Sequence, residues 1–98
     1  MIDLQVRTEL GDTVARGDRG FDWTQEFIDL DRSVYPLLSG VCAYLDTVFN
    51  QRQVPMLLEE LDRLPEGRVL SEASRGEIRR LCSMVSERSH CYLWFVGD

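Results

Sequence analysis

Asp46, Asn50, Gln53 and Asp98 are the polar side chains whose types and spacing could assemble a site in this sequence. Two carboxylates and two amides brought together could relay a proton or grip a small polar ligand. General acid/base work also needs a buried carboxyl group, and with 17 acidic residues in the chain most are expected to be solvated. His90 is the only histidine and Cys91 stands beside it, yet neighbours on an extended segment point to opposite faces, so a Cys-His pair is not expected. His90 is instead expected to cap the helix before it, and Cys42 and Cys82, inside apolar runs, to be buried small hydrophobes. Asp29, Asp31 and Ser33 open like a calcium loop, but no Gly stands at its sixth position and Gly40 replaces the Glu of its twelfth. The sequence has no Lys, which removes Schiff-base chemistry and the phosphate-binding lysine of P-loops, and it lacks HExxH, GxSxG and GxGxxG. No catalytic residue, metal or cofactor is assigned.

The elements that must position these residues come from one small domain, residues 1–98. Ile2 to Arg7 alternate apolar and polar, the pattern of a half-buried strand, and Gly11-Asp12 can turn the chain into a second strand at Thr13-Val14-Ala15. A helix over about 23–31 is expected behind an Asp22 cap, followed by an extended stretch with a strand near 41–45 and strand-like residues again at 47–49. Val54, Leu57, Leu58, Leu61 and Leu64 mark the clearest helix, capped by Asn50 with Gln53 closing a capping box, or starting later with Pro55 in its first turn. Pro65-Glu66-Gly67 ends it. The next helix starts at Ser71 or Ser74, with Ser74 and Glu77 spaced as a second capping box and Ile78, Leu81, Cys82 and Val85 as its apolar stripe.

Cys91 to Val96 are apolar or aromatic without a break, so both faces of this last strand need cover. A central position is expected, with helices on one face and the 33–49 stretch on the other; the alternative is a partner or dimer surface built on Tyr92, Trp94 and Val96. The fold class is therefore α+β, a small, mostly antiparallel sheet with two or three helices packed on one face.

Eleven basic residues against 17 acidic ones leave a net charge of −6, which disfavours nucleic acid and favours basic partners. Three widely spaced cysteines without a C-x-x-C suit reduced thiols in a cytoplasm better than a disulfide framework. Neither a signal-type start nor a run of about 18 apolar residues is present, so secretion and membrane insertion are not expected. The helix side carrying Glu59, Glu60 and Asp62 could steer a basic partner, and a non-enzymatic cytoplasmic binding module, such as an inhibitor or immunity-type protein, fits these features. A small-molecule or catalytic site around Asp46, Asn50, Gln53 and Asp98 is one alternative, and a homodimeric structural component using the last strand is another.

Asp46-Thr47-Val48-Phe49-Asn50 with Gln53, and the ending Tyr92-Leu93-Trp94-Phe95-Val96-Gly97-Asp98, resemble a group of small actinobacterial proteins. These join a D-T-V-F-N-x-x-Q helix start to a Y-L-x-F-x-G-D tail. The resemblance covers roughly the C-terminal half, implies a bacterial cytoplasmic origin, and carries no known activity and no catalytic residue.

Overall fold

The computed structural model describes residues 1–97, so Asp98 lies outside the described residues. Four antiparallel strands form one sheet in the order β2-β1-β4-β3, with β1 at Asp3–Thr8, β2 at Thr13–Arg16, β3 at Thr47–Phe49 and β4 at Cys91–Val96. Three helices, α1 at Gln25–Ile28, α2 at Val54–Arg63 and α3 at Glu72–Glu87, complete an α+β fold. The hairpin of β1 and β2 forms as expected, with a bulge between Val6 and Arg7. The tail is a central strand: β1 pairs with it from Asp3 opposite Val96 to Thr8 opposite Cys91, and β3 flanks its other side.

One face of the sheet makes the core. Leu4, Val6, Leu93 and Phe95 are buried there beneath Leu57 and Leu61 of α2 and Ile78, Leu81, Cys82 and Val85 of α3, the stripes read from the helical spacing. Phe95 anchors this layer, with its ring edge-on to Phe21 and Phe49. Burial pushes the Cys82 thiol up to about 12, so it serves as a small hydrophobe as expected.

Several boundaries differ from the sequence reading, each for a local reason. The first helix is one turn long because Thr24, not Asp22, accepts from the Phe27 N–H, and because Asp31 then starts a new turn by accepting from Ser33 N and Oγ. The strand expected at 41–45 is a turn, and pairing with β4 begins only at Thr47. Ala43 and Leu45 cross the backbone of Gly97, where a Cβ would stand 2.6 Å from the Leu45 carbonyl oxygen, so only glycine fits there. Asn50 and Gln53 do bond reciprocally, Gln53 N to Asn50 Oδ1 at 3.0 Å and Asn50 N to Gln53 Oε1 at 2.9 Å. Their box closes the turn before α2, which starts at Val54 with Pro55 in its first turn. Ser71 caps α3 by accepting from Ser74 N, and this leaves Glu77 free of the capping role expected for it. His90 caps no helix: it has φ 61°, and its Nδ1 sits 3.3 Å from Glu9 Oε2.

Two buried charges pin the irregular segments. Arg75 is only 4% exposed, and its guanidinium donates to the carbonyls of Leu64, Pro65, Arg68 and Leu70, the whole linker between α2 and α3. Glu60 is 2% exposed and accepts from the N–H groups of Leu37 and Leu38, which places the buried Leu38 and Val41 under α2. Removing either charge leaves desolvated main-chain groups without partners. Arg75→Met should therefore lower unfolding free energy by about 3–5 kcal/mol, and Glu60→Gln, which trades one acceptor oxygen for a donor, by about 1.5–3 kcal/mol, both read from urea denaturation.

Candidate functional site

No helix packs on the second face of the sheet among the described residues, and the 33–49 stretch expected there instead joins the helix side through Leu38 and Val41. Along β4 the burial alternates strictly, with Cys91, Leu93 and Phe95 buried and Tyr92, Trp94 and Val96 half-buried on the open face. Trp94 stands at its centre, opposite Gln5 on β1 and Val48 on β3. Arg7 lies over the indole with its guanidinium carbon 4.2 Å from the ring centroid, and Arg7 Nε donates to Gln5 Oε1 at 2.7 Å. The indole N–H is buried without an acceptor, so the ring is held by stacking and cross-strand contact and not by its polar end. Val48 is 41% exposed beside it. Period-2 alternation placed Tyr92 and Trp94 together, whereas Arg7 joined them only through the pairing of β1 with β4, which no local pattern reveals.

The acidic helix side is altered by the structure. Glu60, expected on that exposed side, points inward to Leu37 and Leu38, because the stripe of Leu57, Leu61 and Leu64 carries position 60 with it. Glu59 and Asp62 remain outside, where Glu59 pairs with Arg63 at 3.8 Å and Asp62 with Arg79 at 3.2 Å. Pairs this exposed are weak and give way readily to a partner's charge. Of the polar quartet, Asp98 lies outside the described residues, and Asp46 and Asn50 stand at opposite ends of β3. Asp46 precedes β3 and accepts from Gly97 N at 3.1 Å, while Asn50 and Gln53 follow β3 and bond each other. The two motifs behind the resemblance thus meet at Asp46 and Gly97 in a bond that sets β3 beside β4.

A cleft of about 680 Å³ lies elsewhere, between the Asp18–Thr24 loop and the first turns of α3. Phe21, Val69 and Leu70 supply apolar lining, and Asp18, Arg19, Asp22, Ser71, Ser74 and Glu77 supply polar groups. Its walls are tied together: Glu77 accepts from Asp18 N at 2.5 Å and from Arg80 Nε at 2.9 Å, and Arg80 reaches the Arg16 carbonyl. Behind Val69, Arg68 pairs with Glu26 at 2.6 Å. Val69 has φ 68°, a conformation costly for a β-branched residue, and Leu70 N bonds the Arg68 carbonyl across it to form a strained γ-turn. Arg75 holds the carbonyls on both sides of that turn. Neither the cleft nor this turn was visible in the sequence, since both depend on where Arg75 is buried. Among the described residues no group of three or more metal-binding side chains is suited to an ion.

Set against known protein families, curated proteins and solved structures, the chain matches none.

The hydrogen bonds from Asp18 N and Arg80 hold the Glu77 carboxyl below its ordinary value of 4.5. A lowered folded-state pKa adds stability that is present above the unfolded-state value and is lost as pH falls through the folded one. Glu77→Gln should therefore cost stability at pH 7 and flatten its decline below about pH 4.5, measured as thermal midpoints across pH. Val69→Gly relieves the positive φ and should raise unfolding free energy by about 1 kcal/mol in urea melts.

Proposed function

We propose that the protein is a non-enzymatic binding module, with the open face of the sheet as the surface that receives a protein partner. The single observation behind this reading is the group Tyr92, Trp94 and Arg7, with Val48 and Val96, on a sheet face that no helix covers among the described residues. Trp, Tyr and Arg are the side chains that concentrate binding energy in protein interfaces, and here they stand on rigid paired strands with few rotamers left to order on docking. Asp3, Gln5 and Thr13 supply a polar rim on the neighbouring strands, which matches the anatomy of such surfaces. The net charge of −6 favours a basic partner, and an inhibitor or immunity-type role in a cytoplasm is the form of this proposal that uses charge and sheet face together. Glu59 and Asp62 then act at long range, speeding encounter without forming the contact.

The test compares tagged wild type with Trp94→Ser in capture from the native lysate, with light scattering of both pure proteins. One stoichiometric partner of high isoelectric point, released by salt and held at least about tenfold less by the variant, supports the proposal. Equal capture by the two proteins places the interface elsewhere. A doubled mass that Trp94→Asp abolishes while cooperative unfolding is retained assigns the face to a second copy of the chain and overturns the basic-partner reading.

A further inference from the structure

The open face of the sheet carries a charge opposite in sign to that of the whole chain. Across the strands, Arg16 pairs with Gln5, Gln5 with Trp94 and Trp94 with Val48, and in the next row Thr13 pairs with Arg7 and Arg7 with Tyr92. Paired residues share a face, so both arginines lie on the open one. Among the described strand residues only one acid, Asp3 opposite Val96, shares that face with them. A protein of net charge −6 thus presents a basic spot beside its aromatic cluster.

Arg7 is the better defined of the two arginines. It is half-buried, its guanidinium carbon stands 4.2 Å over the Trp94 ring, and its Nε donates to Gln5 Oε1 at 2.7 Å. The same Gln5 oxygen accepts, at 3.4 Å, from Thr13 Oγ1. Held at its ring face and at Nε, the guanidinium has little rotamer freedom left to lose on binding. Arg75 by contrast spends its donors on four carbonyls, and Arg63, Arg68, Arg79 and Arg80 each stand beside a carboxylate. Among the described residues no carboxylate pairs with Arg7, and nothing accepts from its Nη1 or Nη2.

A fixed guanidinium with both Nη atoms unengaged is a fork that meets the two oxygens of a carboxylate end-on. Two arginines against Asp3 leave one surplus positive charge, which matches a carboxylate better than the near-double charge of a phosphate. We propose that Arg7 recognises a carboxylate of the partner, an Asp or Glu side chain set among apolar residues, with Arg16 adding charge and Tyr92, Trp94 and Val48 receiving the apolar neighbours. This rests on the sheet face being the docking surface proposed above. It gives charge two separate tasks: the net charge draws in a basic protein from a distance, and one acidic residue on that protein's surface fixes the register of docking.

The experiment follows backbone amide, arginine Nε–H and indole N–H resonances of the full chain during titration with the capped tripeptide acetyl-Leu-Glu-Leu-amide. Its uncharged match, acetyl-Leu-Gln-Leu-amide, and inorganic phosphate are titrated separately. The Glu peptide should shift Arg7, Gln5 and Trp94 saturably, with an affinity at least about fivefold above that of either comparison probe. Arg7→Lys, which keeps the charge and loses the fork, should weaken the Glu peptide about fivefold while unfolding stays cooperative. Equal shifts by the two peptides, an unchanged affinity in Arg7→Lys, or shifts as large at Arg52 and Arg88, exposed arginines outside the sheet, overturn the site. Tighter binding of phosphate overturns the ligand class. Partner capture lost in Trp94→Ser without any preference for the Glu peptide removes the carboxylate contact and keeps the docking face. A Glu preference centred on Arg7 with capture indifferent to Trp94→Ser keeps the carboxylate site and removes the docking face.

Discussion

A guanidinium that has left water needs an acceptor for the N–H groups it carries, and Arg75 finds its acceptors in four carbonyls of a single linker. The arrangement works in both directions. The linker carbonyls, turned away from regular structure, gain donors, and the linker in turn keeps the cation satisfied at 4% exposure. Because these bonds fix where α2 stops and α3 begins, they also fix how the two helices lie across the sheet. Glu60 does the same with opposite charge, presenting carboxylate oxygens to the N–H groups of Leu37 and Leu38. One buried cation gathers carbonyls and one buried anion gathers amides, so a main-chain group of each of Leu37, Leu38, Leu64, Pro65, Arg68 and Leu70 finds its partner in a charged side chain.

The two surfaces of interest follow from having only two layers. Helices cover a single face of the sheet, so the aromatic residues of the central strand remain on the other, braced by Arg7 and Gln5. Beside α3, the Asp18–Thr24 loop is bridged to the start of β1 through Phe21 and Ile2, and Glu77 ties it to the helix at Asp18. A cleft remains between them. Its strained Val69 is affordable because Arg75 binds the carbonyls that flank it.

Much of the fold was legible because it is written in short-range pattern. Ile2, Leu4 and Val6 alternate, Leu57, Leu61 and Ile78 recur at helical spacing, and the unbroken apolar run from Cys91 to Val96 marks a central strand, although the cover expected on its second face is missing among the described residues. The first helix boundary failed because Thr24 and not Asp22 is the cap, whereas Ser71, one of the two starts expected for α3, does cap it. Glu60 and Arg75 were not legible as buried, since charged residues are normally solvated and only the positions of distant carbonyls and amides reverse that preference. The candidate sites divide in the same way. Tyr92 and Trp94 share a face by strand period alone, whereas Arg7 over Trp94, or a cleft lined by both the Asp18–Thr24 loop and α3, requires tertiary structure.

The pairing of β1 with β4 joins the earliest strand of the sequence to the latest, Asp3 to Val96, and it forms the middle of the sheet. During synthesis β1 can hold only β2 until residues 91–96 have emerged, and α2 and α3 carry apolar stripes with no completed layer to receive them. Such non-local closure slows folding and leaves nascent intermediates with exposed hydrophobic surface. Translation order thus lets the sheet close at its middle only after residues 91–96 have been made, however early β1 and β2 have paired.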